Sequence, residues 1–207
     1  NLIKKEEWEK LISSIETKYD ALETNKERAK RKLSNLIEEA VIERAQNAGK
    51  FGILFSGGVD STLIAFLCKK HGFDFTCFTI GIENSQDIEY AKIIAEKYNL
   101  NLKYKILSLD EFENTIKEAV KLLQTSEIVW VSVGSVLYAA SKLALQNNIR
   151  ILFSGLGAEE IFAGYQRHED SLQNNNFEAV HKESWSGLRN MWHRDLLRDY
   201  KIAKHFL

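Results

Sequence analysis

The chain contains 207 residues, of which 44% are hydrophobic and 28% are charged. This composition supports a packed core and excludes a disordered chain. The formal net charge of -1 produces no overall positive field, so nucleic acid is not a favoured partner. No uninterrupted apolar run reaches the ~20 residues of a membrane span, and no secretion signal opens the chain. We therefore expect a cytoplasmic protein without a membrane partner.

The two cysteines, Cys68 and Cys77, lie among apolar neighbours and lack the spacing of metal ligands. Free cysteines in such surroundings are typical of proteins in a reducing compartment. We interpret both as small core residues.

Residues 1–48 have helical periodicity and are predicted to form a helical hairpin ahead of the main domain. The first predicted helix has an apolar stripe made of Trp8, Leu11, Ile12, Ile15, Tyr19 and Leu22. The second covers about residues 25–48 and has a predicted inner face of Leu33, Leu36, Ile37, Ala40 and Val41. Its basic run within residues 26–32 favours a solvated helix face over a nucleic-acid patch.

From residue 49 onward, short apolar strands alternate with amphipathic helices. Strands are predicted at residues 51–55, 75–80, 103–107 and 149–153; helices are predicted at about 60–71, at 87–98, around 112–123 and up to about 147. This alternation predicts a parallel sheet with helices on both faces, of the Rossmann-like kind. The polar, Asn-rich segment 166–180 is predicted to be a mobile loop, and helix returns near Trp185. Residues 49–207 are therefore expected to form one α/β domain.

The first segment with chemical meaning is Ser-Gly-Gly-Val-Asp-Ser-Thr at residues 56–62, between the first strand and its helix. Gly57 and Gly58 allow a tight turn that presents backbone N–H groups to a ligand, and the helix adds the positive end of its dipole. The hydroxyls of Ser56, Ser61 and Thr62 can donate further hydrogen bonds. The segment therefore suits a phosphate or pyrophosphate, although it has neither the Walker A nor the GxGxxG pattern.

Asp60 lies inside this predicted anion site. A carboxylate would repel phosphate unless a cation lies between them. Asp60 therefore points to Mg²⁺ that bridges to the phosphates.

A second segment follows the fourth predicted strand, at residues 154–165, and its sequence is Ser-Gly-Leu-Gly-Ala-Glu-Glu-Ile-Phe-Ala-Gly-Tyr. It repeats the arrangement of residues 56–62, in which glycines at the end of a strand precede a carboxylate. Glycines are followed by carboxylates at the edge where doubly wound sheets bind ligands.

These segments carry a family resemblance. The residues SGGVDST resemble the SGGxDS loop of the N-type ATP pyrophosphatases, which cleave ATP to AMP and pyrophosphate. Residues 154–165 resemble the SGEGSDEIFGGY segment of the asparagine synthetase C-terminal domain, and residues 78–87 resemble its second strand and loop. The variant SGLGAEE is most similar to the asparagine synthetase-related branch.

The resemblance implies roles for particular residues. The residues that would hold pyrophosphate are Ser56, Gly57, Gly58, Asp60 and Ser61. The nucleotide-binding residues would also include Thr62 and Ser154. The residues that would lie against adenosine are Leu54, Ile80 and Gly155. Asp60 and Glu159 would act as catalytic carboxylates that hold Mg²⁺. For Glu159 and Glu160 the alternative is an acidic first helical turn that favours the helix dipole.

The implied activity is that of an ATP-dependent carbon–nitrogen ligase. It would adenylate a carboxylate, release pyrophosphate, and form an amide with ammonia. Leu156 stands where the family has a glutamate implicated in substrate activation, so the acceptor stays open as aspartate or a similar acid. Ammonia would come from solution or from a glutaminase domain or subunit. The alternatives are a non-catalytic or regulatory ATP-binding protein of the synthetase type and an RNA-modifying ATP pyrophosphatase.

Two arginines allow alternative interpretations. Arg167 or Arg194 can neutralise the departing pyrophosphate. Salt bridges to nearby acidic residues are the favoured alternative for both.

Overall fold

The structure is a computed structural model that describes residues 2–16, 23 and 25–207. The helices are α1 (Lys5–Glu16), α2 (Lys26–Gln46), α3 (Val59–Lys70), α4 (Gln86–Lys97), α5 (Leu109–Leu123), α6 (Ile128–Gln146), α7 (Ala158–Phe162), α8 (Gln166–Gln173), α9 (Phe177–Met191) and α10 (Leu197–Lys204). A π-helical turn (Trp192–Leu196) joins α9 to α10. The strands are β1 (Phe51–Leu54), β2 (Phe75–Ile82), β3 (Leu102–Leu107) and β4 (Leu152–Phe153).

The strands form one parallel sheet in the order β3-β2-β1-β4. The chain moves from β1 outward to β2 and β3, and then returns past both to β4. Because crossovers between parallel strands are right-handed, this reversal puts α3 and α4 on one face and α5 and α6 on the other. The predicted parallel sheet with helices on both faces is therefore confirmed. Strand β4 is shorter than predicted, since only residues 152 and 153 pair with β1.

The main core lies between the sheet and the helices α2, α3 and α4. Phe51 of β1 is fully buried and stacks on Phe153 of β4, with 4.5 Å between ring centroids. Cys68 and Cys77 are free and buried in the same cluster, as predicted. Burial raises the pKa of the Cys68 thiol to about 11 and that of Cys77 to about 12, so both stay protonated at neutral pH.

Helix α6 is apolar, and among the described residues it is the one helix long and apolar enough to cross a membrane. Length and composition do not separate a span from a core helix. In this structure α6 packs on α5 and β2, and it buries Gly134, Tyr138, Ala140 and Ala144.

The chain divides into two compact units, one of residues 25–155 and 201–207, and the other of residues 1–24 and 156–200. The first contains the sheet. In the second, the indole of Trp8 in α1 donates to the carbonyl of Leu188 in α9 at 3.0 Å, and the indole of Trp192 donates to the carbonyl of Ile3 at 2.7 Å. The predicted domain boundary at residue 49 stays a prediction.

The predicted mobile loop at 166–180 is wrong, because most of this segment lies in α8 and α9. Its asparagines make the helix ends. The Asn174 amide donates to the carbonyl of Asp170 at 2.8 Å, and the Asn176 side chain caps α9 by accepting from the Ala179 N–H at 3.1 Å. Asn175 between them adopts a positive φ of 53°, which asparagine tolerates well.

The predicted inner face of α2 is partly wrong. Leu33 and Leu36 are exposed, while Val41 packs against the main core. The reason is that only the C-terminal half of α2 reaches the core, where Ala45 is buried. In the first predicted stripe, Ile12 is buried, but Leu11 and Ile15 are exposed, so the stripe is only partly a buried face. Tyr19 and Leu22 lie outside the described residues.

Candidate active site

The loop between β1 and α3 turns on Gly57, which has a positive φ of 78°. A Cβ at this position would lie 2.9 Å from the carbonyl carbon of Tyr90 and 3.0 Å from the N of Ala91, both in the backbone of α4. Only glycine satisfies both the conformation and this close approach. The contact with α4 is a constraint that the motif itself does not reveal.

The loop leaves the first turn of α3 open. Gly58 caps the helix without a side-chain hydrogen bond, and the first backbone bond runs from the Thr62 N–H to the Gly58 carbonyl at 3.0 Å. The N–H groups of Val59, Asp60 and Ser61 precede this bond, so they are available to a ligand. Helix N-termini of this kind bind phosphate, because their N–H groups and the dipole favour an anion.

Two hydroxyls line the same turn. The Ser56 Oγ accepts from the Gly58 N–H at 3.2 Å and lies 3.4 Å from the Ser61 Oγ, which donates to the Gly58 carbonyl at 3.3 Å. Ser56 is exposed and Ser61 is buried. The turn is thus pre-formed by weak bonds that a phosphate oxygen can replace. Thr62 lies one residue further and its buried Oγ1 has no hydrogen-bond partner among the described residues.

Asp60 is half-buried at the start of α3, and no hydrogen bond or ion pair of its carboxylate occurs in the part of the chain that the structure describes. Gly155, just after β4, lies against it, since a Cβ on Gly155 would be 2.7 Å from the Cβ of Asp60. The structure therefore brings two predicted site residues together across 95 residues of sequence. Ser154 precedes Gly155 at the same edge of the sheet.

Leu54 and Ile80 lie where β1 and β2 end. Leu54 pairs with Phe78, and Ile80 follows on β2, where it pairs with Lys105 of β3. Both side chains are half-buried, and their contact with adenosine stays a prediction.

The hydroxyl of Thr79 donates to the carbonyl of Phe55, the residue that follows β1, and the Phe55 N–H donates to Phe78 at 2.9 Å. These hydrogen bonds fix the backbone of Phe55, immediately before the loop of residues 56–58. Sequence reasoning missed Thr79, because a threonine in a buried strand has no distinctive signal.

The second segment continues into the other unit, where α7 begins at Ala158. Glu159 is half-buried, whereas Glu160 is only 1% exposed. Glu160 accepts from the Tyr165 hydroxyl at 2.6 Å and from Arg194. The two adjacent glutamates therefore have different environments.

Arg167 and Arg194 both form salt bridges, which was the favoured interpretation. Arg167 Nε lies 3.2 Å from a carboxylate oxygen of Glu183, and Arg194 pairs with Glu160 and with Asp195, the latter at 2.6 Å.

The residues present fit a magnesium site of the phosphate-bridged type. Within the described residues, no group of three or more His, Cys, Asp or Glu side chains could hold a metal ion. Mg²⁺ does not need such a cage, because it is usually bound by one or two carboxylates together with substrate phosphates and water. The carboxylate of Asp60, next to an open helix N-terminus, meets this requirement.

A parallel α/β sheet with a glycine turn and a helix N-terminus at its carboxyl edge defines a domain of the nucleotide-binding class. The family model "Asparagine synthase" matches residues 32–205. The chain belongs to this family, whose members are ATP-using synthetases and ligases.

Named relatives agree with this assignment. The chain is 34% identical over 177 residues to the putative asparagine synthetase [glutamine-hydrolyzing] 1 of Methanocaldococcus jannaschii, a match that covers 86% of this chain and 32% of the relative. It is 26% identical over 179 residues to asparagine synthetase [glutamine-hydrolyzing] 1 of Arabidopsis thaliana, with 82% and 30% coverage. The chain thus spans about a third of the length of these relatives.

Among solved structures, the chain resembles the NH3-dependent NAD synthetase of Campylobacter jejuni, with a TM-score of 0.46 and 16% identity over 85% of this chain and 96% of that one. A predicted subunit of tRNA methyltransferase from Methanocaldococcus jannaschii has a TM-score of 0.36 and 24% identity, with 51% and 52% coverage. Both structural likenesses are partial. The fold of this chain is therefore described from its own strand order and helices, and not from either of these structures.

Proposed function

We propose that this chain is the synthetase portion of an amide-forming ligase that activates a carboxylic acid, aspartate or a similar one, with ATP. The observation that carries this proposal is the open N-terminus of α3 behind the Gly57 turn, with the carboxylate of Asp60 beside it. The family assignment and the glutamine-hydrolysing relatives support the same reaction class. A cytoplasmic location stays a prediction.

The proposed reaction has two steps. A carboxylate oxygen of the acid attacks the α-phosphorus of ATP, the bond to the bridging oxygen breaks, and pyrophosphate leaves with the electron pair. Ammonia then attacks the carbonyl carbon of the acyl-adenylate, and AMP departs as the amide forms and a proton is lost. Ammonia would be supplied from solution or by a glutaminase domain or subunit, and the relatives named as glutamine-hydrolysing support the second source.

In the first step the chain would position ATP and offset charge on the leaving pyrophosphate. The N–H groups at the start of α3 and the hydroxyls of Ser56 and Ser61 would hold its β- and γ-phosphates. Leu54, Ile80 and Gly155 would lie along the adenosine. The carboxylate of Asp60 would hold Mg²⁺, whose charge would offset that of the phosphate oxygens. Glu159, in the other unit, stays a proposed magnesium ligand on the family resemblance alone.

The test is product analysis with Mg-ATP, ammonia and a panel of carboxylic acids led by aspartate. We expect AMP and pyrophosphate in equal amounts, dependent on one acid. ATP binding without AMP from any acid would contradict the ligase and favour the regulatory alternative. Binding of tRNA that weakens with added salt would favour the RNA-modifying alternative.

The matched variants are Asp60→Ala and Asp110→Ala, since each removes a carboxylate from the first turn of a helix. Alanine keeps the Cβ of Asp60 that contacts Gly155. We expect Asp60→Ala to lower AMP formation at least ~100-fold, the usual effect of losing one group that stabilises charge in the transition state. Asp110→Ala should retain wild-type turnover. Wild-type turnover in Asp60→Ala would reject the magnesium assignment.

A further inference from the structure

Strand β1 ends shortly before residues 56–58, which we call the phosphate loop, whereas its neighbour β2 continues beside β3. The last pair between β1 and β2 joins Leu54 to Phe78, and β2 then runs on to Ile82. Phe55 still donates its N–H to the Phe78 carbonyl at 2.9 Å, but its own carbonyl lies beyond this ladder. The chain therefore leaves the sheet at the Phe55 carbonyl.

The hydroxyl of Thr79 donates to the Phe55 carbonyl. Thr79 is 4% exposed and Phe55 is 2% exposed, so water does not compete for this hydrogen bond. A buried carbonyl needs a donor, and a side-chain hydroxyl can supply one where the backbone ladder has ended. Thr79 therefore takes the place of a ladder partner and determines where the chain turns away from β2.

The hydrogen bond from Thr79 also fixes the residue that follows Phe55. A peptide unit is planar and trans, so the direction of the Phe55 carbonyl sets the opposite direction of the Ser56 N–H. One residue further, Gly57 lies against the backbone of α4 with no room for a side chain. Ser56 is thus held between two fixed points of the backbone.

Ser56 is the side chain on which the phosphate loop closes. Its Oγ accepts from the Gly58 N–H at 3.2 Å and lies 3.4 Å from the Ser61 Oγ. These contacts are long and therefore weak, so the orientation of Ser56 depends mainly on its backbone. A hydroxyl placed at a helix N-terminus in this way can donate to a phosphate oxygen.

We infer that Thr79 is a positioning residue of the phosphate loop, whose hydroxyl orients Ser56 toward the pyrophosphate part of ATP. This role rests on the proposed function, because it assumes that residues 56–62 bind the phosphates. Thr79 acts through the Phe55 carbonyl and does not have to touch the nucleotide. Ile80 follows Thr79 on β2 and pairs with β3, so the adenosine end of the site would keep its strand without the hydroxyl. The two ends of ATP therefore report separately on Thr79.

Thr79→Val tests this role, since valine keeps the branched side chain and lacks the hydroxyl. Thr79→Ser keeps a donor and is the conservative rescue. The matched control is Thr76→Val, because Thr76 is also 4% exposed and lies on the same strand. Its hydroxyl accepts from the Asn101 amide at 3.1 Å, at the end of β2 opposite to the phosphate loop.

Binding to the full chain is measured by calorimetry with Mg²⁺ and three probes: inorganic pyrophosphate, adenosine, and an ATP analogue with a methylene group between the α- and β-phosphorus. Thermal unfolding is followed for every variant. We expect Thr79→Val to weaken pyrophosphate and the analogue by about tenfold each, the effect of one buried hydrogen bond, and to leave the affinity for adenosine unchanged. Thr79→Ser should restore the wild-type affinities, and Thr76→Val should match the wild type with all three probes.

A role confined to folding stability predicts a different pattern. Thr79→Val would then weaken all three probes together, or none of them once the folded fractions are equal, and either result would overturn the inference. If Thr79→Val does not fold, Thr79→Cys takes its place in the same comparison, because a thiol is only a weak donor.

A double-mutant cycle tests whether Thr79 acts through Ser56. In the Ser56→Ala background, Thr79→Val should have little further effect on pyrophosphate affinity, since the two residues act in series. Full additivity of the two substitutions would overturn the inference.

The two proposals fail separately. If the wild type binds pyrophosphate and the analogue but makes no AMP with any acid, the ligase proposal fails and the pyrophosphate affinities still decide the role of Thr79. If the wild type makes AMP and Thr79→Val keeps the wild-type pyrophosphate affinity, the ligase proposal stands and the positioning inference is overturned. A wild type that binds neither pyrophosphate nor the analogue also overturns it.

Discussion

Replacing Gly155 by alanine should disturb the candidate site from a position outside its loop. The added Cβ would lie 2.7 Å from the Cβ of Asp60 and 3.4 Å from the N of Ser61. Ordinary carbon–carbon contacts are about 3.5–4.0 Å, so the two elements must separate by roughly 1 Å. A Cβ has no rotamer, and therefore the backbone at the start of α3 or at the end of β4 has to move.

The expected magnitude follows from this geometry. Overpacking of this kind costs about 1–3 kcal/mol of unfolding free energy. For a protein of this size each kcal/mol lowers Tm by about 2–4 °C, so Tm should fall by about 2–12 °C. A shift of about 1 Å at a reacting group can cost ~100-fold in rate, so AMP formation should fall far more than the folded fraction at the assay temperature.

Two measurements are compared for each variant. Thermal unfolding is followed by circular dichroism, and AMP formation is measured at about 25 °C, well below the expected Tm. Gly134→Ala is the matched control: its added Cβ would lie equally close, 2.7 Å, to a neighbour, but that neighbour is the Cδ1 at the flexible end of Leu123. This variant should keep wild-type turnover. If Gly155→Ala keeps the wild-type Tm and turnover, the contact between β4 and α3 is not as described. If Tm falls but turnover stays at the wild-type level, the displacement caused by the added Cβ does not reach the groups of residues 56–62 that act on ATP.

Three further outcomes are expected. Phe51→Ala should lower the unfolding free energy by about 3–5 kcal/mol in denaturant titrations, because a fully buried ring is lost from the sheet core. Ser108→Ala should cost about 0.5–2 kcal/mol in the same titrations, since the capping box of Ser108 with Glu111 at α5 is broken. Because its folded pKa is held below 4.5, Glu160 should stabilise the protein above that value, and this contribution should disappear as pH falls through the folded pKa. Acid unfolding should therefore be less steep in Glu160→Gln, and an unchanged acid profile would contradict the buried ion pair.

The sheet was predictable because its strands are continuous apolar runs separated by amphipathic helices of ordinary length. The parallel pairing of the strands and the placement of residues 56–62 at the carboxyl edge of the sheet both follow from that alternation, whereas the strand order does not. The segment 166–180 was not predictable in the same way. Its composition favours a loop, yet hydrogen bonds of Asn174 and Asn176 turn the same polar residues into helix ends.

The candidate site shows the same division between local and distant information. The turn at Gly57 has a local signal, since two glycines before a helix present N–H groups to an anion. The reason that Gly57 admits no side chain lies in the backbone of Tyr90, and the reason for Gly155 lies in Asp60. Such contacts depend on how strands and helices pack, and a single sequence contains no record of them.

Glu159 and Glu160 illustrate the limit most clearly. In the sequence they are identical neighbours in an acidic first turn, for which a helix-dipole role is a sufficient explanation. In the structure Glu160 is buried by Gly187 and bonded to Arg194, a residue 34 positions away, whereas Glu159 is half-buried. The dipole explanation applies equally to both residues, so it cannot account for the difference. A buried carboxylate needs a partner, and Tyr165 and Arg194 are the partners of Glu160. The different environments of the two adjacent glutamates therefore follow from how the helices of this unit pack, and the acidic turn itself contains no sign of them.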